Sequence, residues 1–313
     1  MKIVFFGTPD FAVEALDAIV ASGRHQVAAV VTVPDRQAGR GRQVAFSAVK
    51  NYALSHNLPL LQPPLLRDPQ FLADLETINA DCFVVVAFRM LPEAVWALPP
   101  CGTFNLHASL LPRFRGAAPI NHTIMAGETV TGVTTFLLNH KIDEGNILLQ
   151  QSTPVSPHET AGSLHDRLAA MGRQLVVLTL DGLANGTVTP HPQTGTPCPA
   201  PKIFKEDCRI HFDHSALFID RQVRALAPYP AAFVTLTNPK GQEVPFKILA
   251  VEPISEVHNL PCGTMICDGK STLKFATADG FVKVLELQMA GKNKNTIQDF
   301  LRGNPLTSWN TAT

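Results

Sequence analysis

The first half of the chain alternates short hydrophobic runs with amphipathic stretches. Apolar runs of strand length occupy residues 3–6, 27–33, 82–87 and 103–106, and helical spacing of apolar positions marks residues 11–22 and 45–56. Such repeated β-α units build a mostly parallel sheet with helices on both faces. Runs at 131–138 and 147–155 predict an added hairpin, and a helix is predicted over 163–183. The sequence therefore predicts a Rossmann-like α/β domain.

The pattern changes after residue 189. Residues 189–205 are rich in Pro, Thr and Lys without periodicity, which is typical of an interdomain linker. Strand-length runs then recur at 209–212, 232–237, 246–251, 264–266, 272–277 and 281–288, with one helical stretch at 215–226. Many short strands with turn signals between them predict a small β-barrel. We expect a first domain over 1–189, a linker over 190–205 and a second domain over 206–313.

Composition narrows the class of protein. The chain has 313 residues, of which 45% are hydrophobic and 17% charged, as in two globular domains rather than a disordered chain. A formal net charge of zero argues against indiscriminate nucleic-acid coating but leaves room for a local basic patch. No apolar run is long enough to span a bilayer, and the first predicted strand leaves no room for a signal peptide. We expect a cytoplasmic protein without membrane contact.

The six cysteines include no CxxC pair, so reduced structural thiols are expected. Cys208, His211 and His214 lie close in sequence but have no second ligand pair, and we expect no metal. The turn at Gly7-Thr8-Pro9-Asp10 lacks the further glycines of a dinucleotide-binding loop, which disfavours NAD. Its alternative interpretation is a tight turn with Asp10 near a helix start.

Asn105 and His107 are the strongest candidates for chemistry. They alternate along a predicted strand, so both side chains face the same side where the strand ends, and open α/β sheets place active sites at that end. An edge strand with a wetted polar face would produce the same alternation. The long loop that follows, with Leu110, Leu111, two arginines and a glycine, favours a ligand-binding role.

The segment from Phe104 to Pro119, containing Asn-Leu-His-Ala-Ser-Leu-Leu-Pro-Arg-Phe-Arg-Gly-Ala-Ala-Pro, resembles the signature of the folate-dependent formyltransferases. Further motifs agree in order and spacing at 7–12, 34–42, 131–134, 143–145, 290–292 and 299–301, so the resemblance covers essentially the whole chain. It implies an OB-like second domain, 10-formyltetrahydrofolate as formyl donor, initiator methionyl-tRNA as acceptor in translation initiation, and a monomer.

Formyl transfer to an amine needs donors at a developing oxyanion and an acid/base group close by. Asn105 and His107 supply the donors, and the resemblance places the family's aspartate at Asp143. We expect Asp143 to form a hydrogen bond with His107 and to relay protons directly or through a water molecule. Which group is the formal base is left open, as is the alternative that Asp143-Glu144-Gly145 is merely a turn.

The resemblance also implies the substrate contacts. It places the pterin against backbone groups of Phe88, Arg89, Met90 and Leu91, although Phe88 and Arg89 replace a tyrosine-glycine step of the family. It assigns Ser109, Leu110, Leu111 and Pro112 to the folate, with core packing as the alternative for the two leucines.

The glycine-arginine loop over 34–42 supplies the tRNA-binding candidates Arg36, Arg40 and Arg42. Guanidinium groups make bidentate contacts with phosphates and stack on unpaired bases. The resemblance matches Arg40 best to the family's tRNA-contacting arginine. A solvated surface turn is the alternative.

Two other functions compete. One is a formyltransferase for a small amine, such as glycinamide ribonucleotide or an amino-sugar nucleotide, or a formyltetrahydrofolate hydrolase; none of these needs the arginine loop or the barrel. The other is an RNA-binding module that has lost catalysis, against which the intact Asn105, His107 and Asp143 argue.

Overall fold

The computed structural model describes residues 1–38 and 43–311. They form two compact units, of which the first comprises Met1–Pro119, Val130–Pro154 and His165–Pro201 and the second Ile120–Thr129, Val155–Leu164 and Lys202–Thr313. Two short segments that lie between parts of the first unit in sequence therefore belong to the second unit. The predicted boundaries 1–189, 190–205 and 206–313 stay a prediction.

A seven-stranded sheet organises the first unit. Its strands are β1 (Lys2–Gly7), β2 (Gln26–Val31), β5 (Leu60–Leu61), β6 (Cys82–Val86), β7 (Thr103–His107), β8 (Val130–Leu137) and β9 (Ile147–Pro154). Across the sheet they lie in the order β5-β2-β1-β6-β7-β8-β9. Pairing is parallel from β5 to β7 and antiparallel for β8 and β9. The predicted mostly parallel sheet with an added hairpin is confirmed.

Helices cover both faces because successive side chains of a strand point to opposite sides. Val4 and Phe6 of β1 pack in one cluster with Phe71 of α3 (Pro69–Ile78) and Val95 of α4 (Glu93–Trp96). On the other face, Phe5 lies near the helices α1 (Asp10–Ser22) and α2 (Ala48–Ser55). A Cβ added at Gly7 would contact Phe5 together with Ala12 of α1 and Val49 of α2. Helix α2 begins at Ala48 rather than at the predicted residue 45 because the Ser47 side chain caps it, accepting from the Lys50 amide.

The remaining elements before residue 185 include the paired strands β3 (Arg36–Ala38) and β4 (Gln43–Ala45), which we call the arginine hairpin. The others are the helix α5 (Pro119–Ala126) and the long helix α6 (Ala161–Ala184). The two strands of the hairpin follow β2, and β3 lies within the predicted arginine loop over 34–42, of which residues 39–42 lie outside the described residues. The strands pair in antiparallel register, Arg36 opposite Ala45. The sequence analysis predicted no strands here, because each is only three residues long.

An antiparallel sheet that nearly closes into a barrel forms most of the second unit. It contains β10 (Ala232–Thr237), β11 (Glu243–Ile254), β12 (Met265–Cys267), β13 (Leu273–Ala276), β14 (Phe281–Met289), β15 (Asn295–Thr296) and β16 (Asn310–Thr311). Helices α7 (Ala216–Leu226) and α8 (Ile297–Gly303) bury Ile219, Val223 and Phe300 in its core. The predicted barrel is confirmed.

One predicted strand of this barrel is wrong. Residues 209–212 contain a single bridge from Arg209 to Phe233, preceded by a 3₁₀ turn at Glu206–Cys208. Cys208 and Ile210 are buried in the barrel core. Their alternation with polar residues imitates a strand, but one bridge is all the pairing that the described chain gives this segment.

Candidate active site

Strand β7 carries Asn105 and His107 in the interior of the sheet. Asn105 lies opposite Val85 of β6 and Phe136 of β8, and His107 lies opposite Thr134. The two side chains project from one face because the residues are two apart on the strand. The edge-strand alternative is wrong, since β7 has a hydrogen-bonded neighbour on each side.

The carboxamide of Asn105 offers a polar atom to a ligand. Its Oδ1 is buried and has no hydrogen-bond partner within the described residues. An unpaired buried polar atom costs about 1–3 kcal/mol, so such atoms are uncommon outside functional sites. Rotating the amide by half a turn exchanges oxygen and nitrogen, so the position suits either a donor or an acceptor of a bound substrate.

The imidazole of His107 has a defined arrangement. Its Nε2 lies 2.8 Å from the carbonyl oxygen of Phe114, which only accepts, so Nε2 carries a proton. The lone pair of the neutral ring then resides on Nδ1, which faces Asp143 Oδ2 at 3.8 Å. This separation is longer than a hydrogen bond, so the predicted direct hydrogen bond is absent from the structure. A proton taken up at Nδ1 forms a charge pair with Asp143.

Asp143 lies in the turn between β8 and β9. Its φ of 54° places it in the left-handed region, and its Oδ2 accepts a 2.8 Å hydrogen bond from the Gly116 amide. Its side chain is 13% exposed. Glu144 is 39% exposed and pairs with Arg115 at 3.2 Å. Of the two acidic residues in the turn, Asp143 is therefore the one that lies beside the imidazole.

The segment after His107 is fixed by hydrogen bonds. Thr134 Oγ1 donates to the Ser109 carbonyl at 2.6 Å and accepts from the Leu111 amide at 3.2 Å. Gln150 Nε2 donates to the same hydroxyl at 2.9 Å. Ser109, Leu111 and Pro112 are buried and Leu110 is partly exposed. The packing alternative therefore fits Leu111, whereas Leu110 offers a partly exposed side chain to a ligand.

The predicted pterin loop, Phe88 to Leu91, begins two residues after the end of β6. Phe88 packs edge-on against Phe6 with ring centroids 5.8 Å apart, and Leu91 is buried. The Arg89 guanidinium donates to the Pro63 and Pro64 carbonyls. Burial lowers the pKa of Arg89, and the charge of Arg36 acts in the same direction. Met90 is 74% exposed, so the loop offers one free apolar side chain beside its backbone groups.

The residue that precedes the arginine hairpin, Asp35, is held by two side chains. Lys50 Nζ donates to Asp35 Oδ2 at 2.6 Å and lies 4.0 Å from the centre of the Phe46 ring. Gln62 Nε2 donates to Asp35 Oδ1 at 2.9 Å. The hydrogen bond from Lys50, followed by that from Gln62, lowers the pKa of the Asp35 carboxyl. Arg36 is exposed on β3, whereas the predicted Arg40 and Arg42 lie outside the described residues.

Sequence reasoning gave no role to three residues near the site. Thr134 on β8 lies in the 131–134 motif but received no function there, and no sequence signal separates Gln150 on β9 from other strand positions. Gln193 lies in the predicted linker and contacts the Asp143 turn. Gln193 belongs to none of the quoted motifs and lies in a segment without hydrophobic periodicity, so neither signal could have indicated it.

The described residues contain neither a membrane-spanning helix nor a cluster of metal-ligating side chains. In the part of the chain that the structure describes, none of the helices is sufficiently long and apolar to cross a membrane. Within the same residues, no group of three or more His, Cys, Asp or Glu side chains is placed to hold a metal ion.

Comparison with known proteins extends the picture to the whole chain. Residues 1–180 match the family model described as formyl transferase, and residues 202–305 match that of the formyl transferase C-terminal domain. A protein of Bacteroides thetaiotaomicron named methionyl-tRNA formyltransferase is 49% identical, covering 97% of this chain and 95% of its own length. A protein of the same name from Bacteroides fragilis is 48% identical, with 98% and 96% covered.

Solved structures share the fold at low sequence identity. An N-formyltransferase from Helicobacter canadensis, in complex with folinic acid and dTDP-3-aminofucose, is 19% identical with a TM-score of 0.65, covering 94% of this chain and 100% of that one. HypX from Aquifex aeolicus, in complex with tetrahydrofolic acid, is 19% identical with a TM-score of 0.63. This chain is covered to 98% but spans only 48% of HypX.

The two family models together match most of the chain, and the named relatives are nearly half identical over almost its full length: the chain belongs to the formyl transferase family.

Proposed function

We propose that this chain transfers the formyl group of 10-formyltetrahydrofolate to the α-amino group of methionyl-initiator-tRNA, for translation initiation in the cytoplasm. The observation that carries the proposal is the grouping of Asn105, His107 and Asp143 at the end of β7, with one buried amide atom of Asn105 left for a ligand. The acceptor is inferred from the name of relatives that are 49% and 48% identical over nearly the full chain.

Each of the three residues has a role in this proposal. With its carboxamide turned so that Nδ2 takes the place of the unpartnered Oδ1, Asn105 donates to the formyl oxygen, where negative charge develops during acyl transfer. His107 takes up a proton at Nδ1, because Nε2 already donates to Phe114, and the imidazolium then helps to stabilise the oxyanion. Asp143 stabilises the imidazolium across 3.8 Å and can relay a proton through a water molecule. The α-amine nitrogen bonds to the formyl carbon, the bond from that carbon to N10 of the folate breaks, and the proton lost by the amine is passed to N10 of the leaving tetrahydrofolate.

The folate would lie along two segments beside this group. Backbone groups of Phe88, Arg89, Met90 and Leu91 would bind the pterin, and the segment from Ser109 to Pro112 would cover the ligand. The exposed Met90 side chain and the partly exposed Leu110 can pack against the flat rings of the folate, while backbone groups bind its polar edge. Neither segment requires a metal.

The tRNA end would be reached by the arginine hairpin, through Arg36, Arg40 and Arg42, and by the second unit. The pairing of Asp35 with Lys50 supports this role, because it anchors the hairpin base and leaves Arg36 exposed. We further propose the domain limits 1–189, 190–205 and 206–313, a catalytic role for the first domain, tRNA binding for the last, and a monomeric enzyme.

The test is single-turnover formyl transfer from 10-formyltetrahydrofolate to charged initiator methionyl-tRNA. Elongator methionyl-tRNA, free methionine, glycinamide ribonucleotide and an amino-sugar nucleotide serve as competing acceptors, and His107→Ala as the inactive control. Rapid transfer to the initiator tRNA alone, lost in His107→Ala, would support the proposal. Turnover of a small amine without tRNA activity would overturn it.

A second experiment tests the arginine hairpin. Arg40→Ala should weaken tRNA binding about equally for initiator and elongator tRNA, because a phosphate contact carries no sequence information. The slope of log Kd against log salt concentration should become shallower by about one, which is the contribution of a single phosphate contact. Arg24→Ala, which removes an arginine paired with Asp181 in the same unit, is the matched control. Unchanged binding by Arg40→Ala would remove the hairpin from the tRNA site.

A further inference from the structure

We infer that Gln193 is a positioning residue for Asp143, acting from the segment that follows the long helix α6. The inference rests on the proposed function for its catalytic consequence. Gln193 is half-buried and lies fifty residues beyond Asp143 in sequence. All of the residues concerned belong to the first unit.

Gln193 binds the backbone on both sides of the acidic turn. Its Nε2 donates to the carbonyl of Asp143 at 2.8 Å and to the carbonyl of Gly145 at 2.9 Å. One amide nitrogen thus uses its two protons on residues i and i+2 of the turn. Because Asp143 has a left-handed φ of 54°, which a residue with a Cβ adopts at a cost, the turn needs contacts of this kind to keep its conformation.

The other side of the same amide is held by Arg115. Gln193 Oε1 accepts from Arg115 Nε at 3.1 Å and from Nη2 at 2.7 Å, while Nη1 lies 3.2 Å from Glu144. The guanidinium fork therefore fixes the orientation of the carboxamide, so that its nitrogen faces the two carbonyls. Nitrogen and oxygen of Gln193 are not interchangeable in this network.

The same two segments are also joined through their backbones. The Arg115 amide donates to the Cys198 carbonyl at 3.0 Å, and the Ala200 amide donates to the Arg115 carbonyl at 2.7 Å. Next to this pairing, the Gly116 amide donates to Asp143 Oδ2. A Cβ at Gly116 would clash with the Ala200 carbonyl, so the backbones of these two residues lie very close to each other. Residues 193–200 therefore fix both the backbone of Asp143 and the donor to its carboxylate.

The mechanical consequence concerns the distance between Asp143 and His107. At 3.8 Å the pair has no direct hydrogen bond of its own, so its geometry depends on what holds each partner. His107 is held by β7 and by the Phe114 carbonyl. Asp143 is held by Gln193 and Gly116. Loss of Gln193 should let the turn relax and move the carboxylate from the imidazole.

Gln193→Ala is expected to lower the single-turnover rate about 10- to 100-fold, since a misplacement of about 1 Å has effects of this size. KM for the formyl donor and for tRNA should change by less than about twofold, because Gln193 acts on a catalytic group rather than on a substrate. Gln193→Glu keeps the acceptor for Arg115 but cannot donate to the two carbonyls, and should behave like Gln193→Ala. Gln70→Ala, the same change at an exposed glutamine of α3, is the control.

The decisive measurement is a double-mutant cycle with Asp143→Asn. If Gln193 acts through Asp143, the effect of Gln193→Ala should depend on the background. The factor by which it lowers the rate should be at least about five times smaller in Asp143→Asn than in the wild type. Equal losses in both backgrounds would overturn the inference. So would a purely structural result, in which kcat is unchanged and only the melting temperature falls.

A second readout does not depend on activity. The Gly116 amide donates to Asp143 Oδ2, so its hydrogen-exchange protection reports whether the carboxylate is in place. Protection should fall in Gln193→Ala and stay unchanged in Gln70→Ala. If the wild type formylates no acceptor, the proposed function fails while this readout still tests the positioning. Unchanged Gly116 protection in Gln193→Ala would overturn the inference itself.

Discussion

At the level of single residues, one carbonyl group determines which nitrogen of the His107 ring is available to a proton. Phe114 accepts from Nε2, which leaves the lone pair of the ring on Nδ1. Phe114 has a left-handed φ of 59°, so the carbonyl reaches the imidazole from an uncommon backbone conformation. The identity of residue 114 matters less for this contact than its backbone position.

Asp143→Asn tests the charge at Nδ1 with little change of shape. The carboxamide of this variant can still accept from the Gly116 amide, but it cannot stabilise an imidazolium, so kcat should fall about 10²- to 10⁴-fold. Single-turnover rates at saturating tRNA measure this loss. Asp166→Asn, at a carboxylate that is 85% exposed, is the control and should retain the wild-type rate. A variant within about threefold of wild type would exclude Asp143 from proton transfer.

His25 makes a prediction about stability against pH. Its side chain is 2% exposed and its Nε2 lies 3.0 Å from Asp181. Burial lowers the pKa of His25 in the folded state, and the hydrogen bond to Asp181 opposes this with a smaller effect. The unfolded chain therefore takes up the proton first as the pH falls below about 6.5, and this part of the stability is lost there.

The measurement is the urea midpoint of unfolding between about pH 8 and pH 5. His25→Gln should flatten the fall in stability on the acid side of this range, even if its stability at the alkaline end is lower. His158→Gln, at an exposed histidine, should keep the wild-type slope. An unchanged slope in His25→Gln would show that other groups set the pH dependence.

At the level of helices and strands, the loop after β7 depends on a hydroxyl from the neighbouring strand β8. Thr134 contacts the Ser109 carbonyl, the Leu111 amide and the Gln150 amide. A strand with several buried threonines offers more than one such hydroxyl, and only the antiparallel register of β7 with β8 selects this one.

Thr134→Val keeps the shape of the side chain and removes these hydrogen bonds. The buried Leu111 amide loses its acceptor, so the free energy of unfolding should fall by about 1–3 kcal/mol. Formyl transfer should slow as well, because the segment that follows His107 loses its support. Urea denaturation and single-turnover kinetics measure the two effects, with Thr235→Val on β10 as the control. Stability and rate both equal to wild type would contradict this account of the loop.

At the level of the complete chain, the two units are interleaved in sequence. Ile120–Thr129 and Val155–Leu164 belong to the second unit. There, Asn121 donates to the Ala225 carbonyl at 2.7 Å, Gly162 donates to the Ala227 carbonyl at 3.0 Å, and Met125 packs on the barrel core. A cut after the first unit therefore leaves two segments without their partners.

A fragment of residues 1–201 should consequently fold poorly. We expect a broad thermal transition by circular dichroism and increased binding of a hydrophobic dye, because apolar groups such as Met125 become exposed. The full-length chain under the same conditions is the reference. Cooperative unfolding of the fragment at the wild-type temperature would show that the first unit is independent.

Local sequence was sufficient for the elements whose pattern is local. The strands β1 and β6 are runs of adjacent apolar residues, and β7 alternates apolar with polar residues. The helices α1 and α7 have helical apolar spacing, so the hydrophobic pattern identifies all five elements. The alternation of Asn105 and His107 likewise predicted their common face. The family signature then indicated Asp143 as the third residue, from similarity rather than from physics.

Which distant groups meet depends on the tertiary fold. Residues 209–212 have a strand pattern but acquire only one bridge, because pairing depends on a partner strand that local sequence does not encode. Gln193 contacts the Asp143 turn fifty residues away, and the assignment of 120–129 to the second unit has the same long-range origin. Contacts of this kind arise because side chains pack, and buried backbone groups find hydrogen-bond partners, between segments that are far apart in sequence. Periodicity and motifs describe only neighbouring residues and therefore did not predict them.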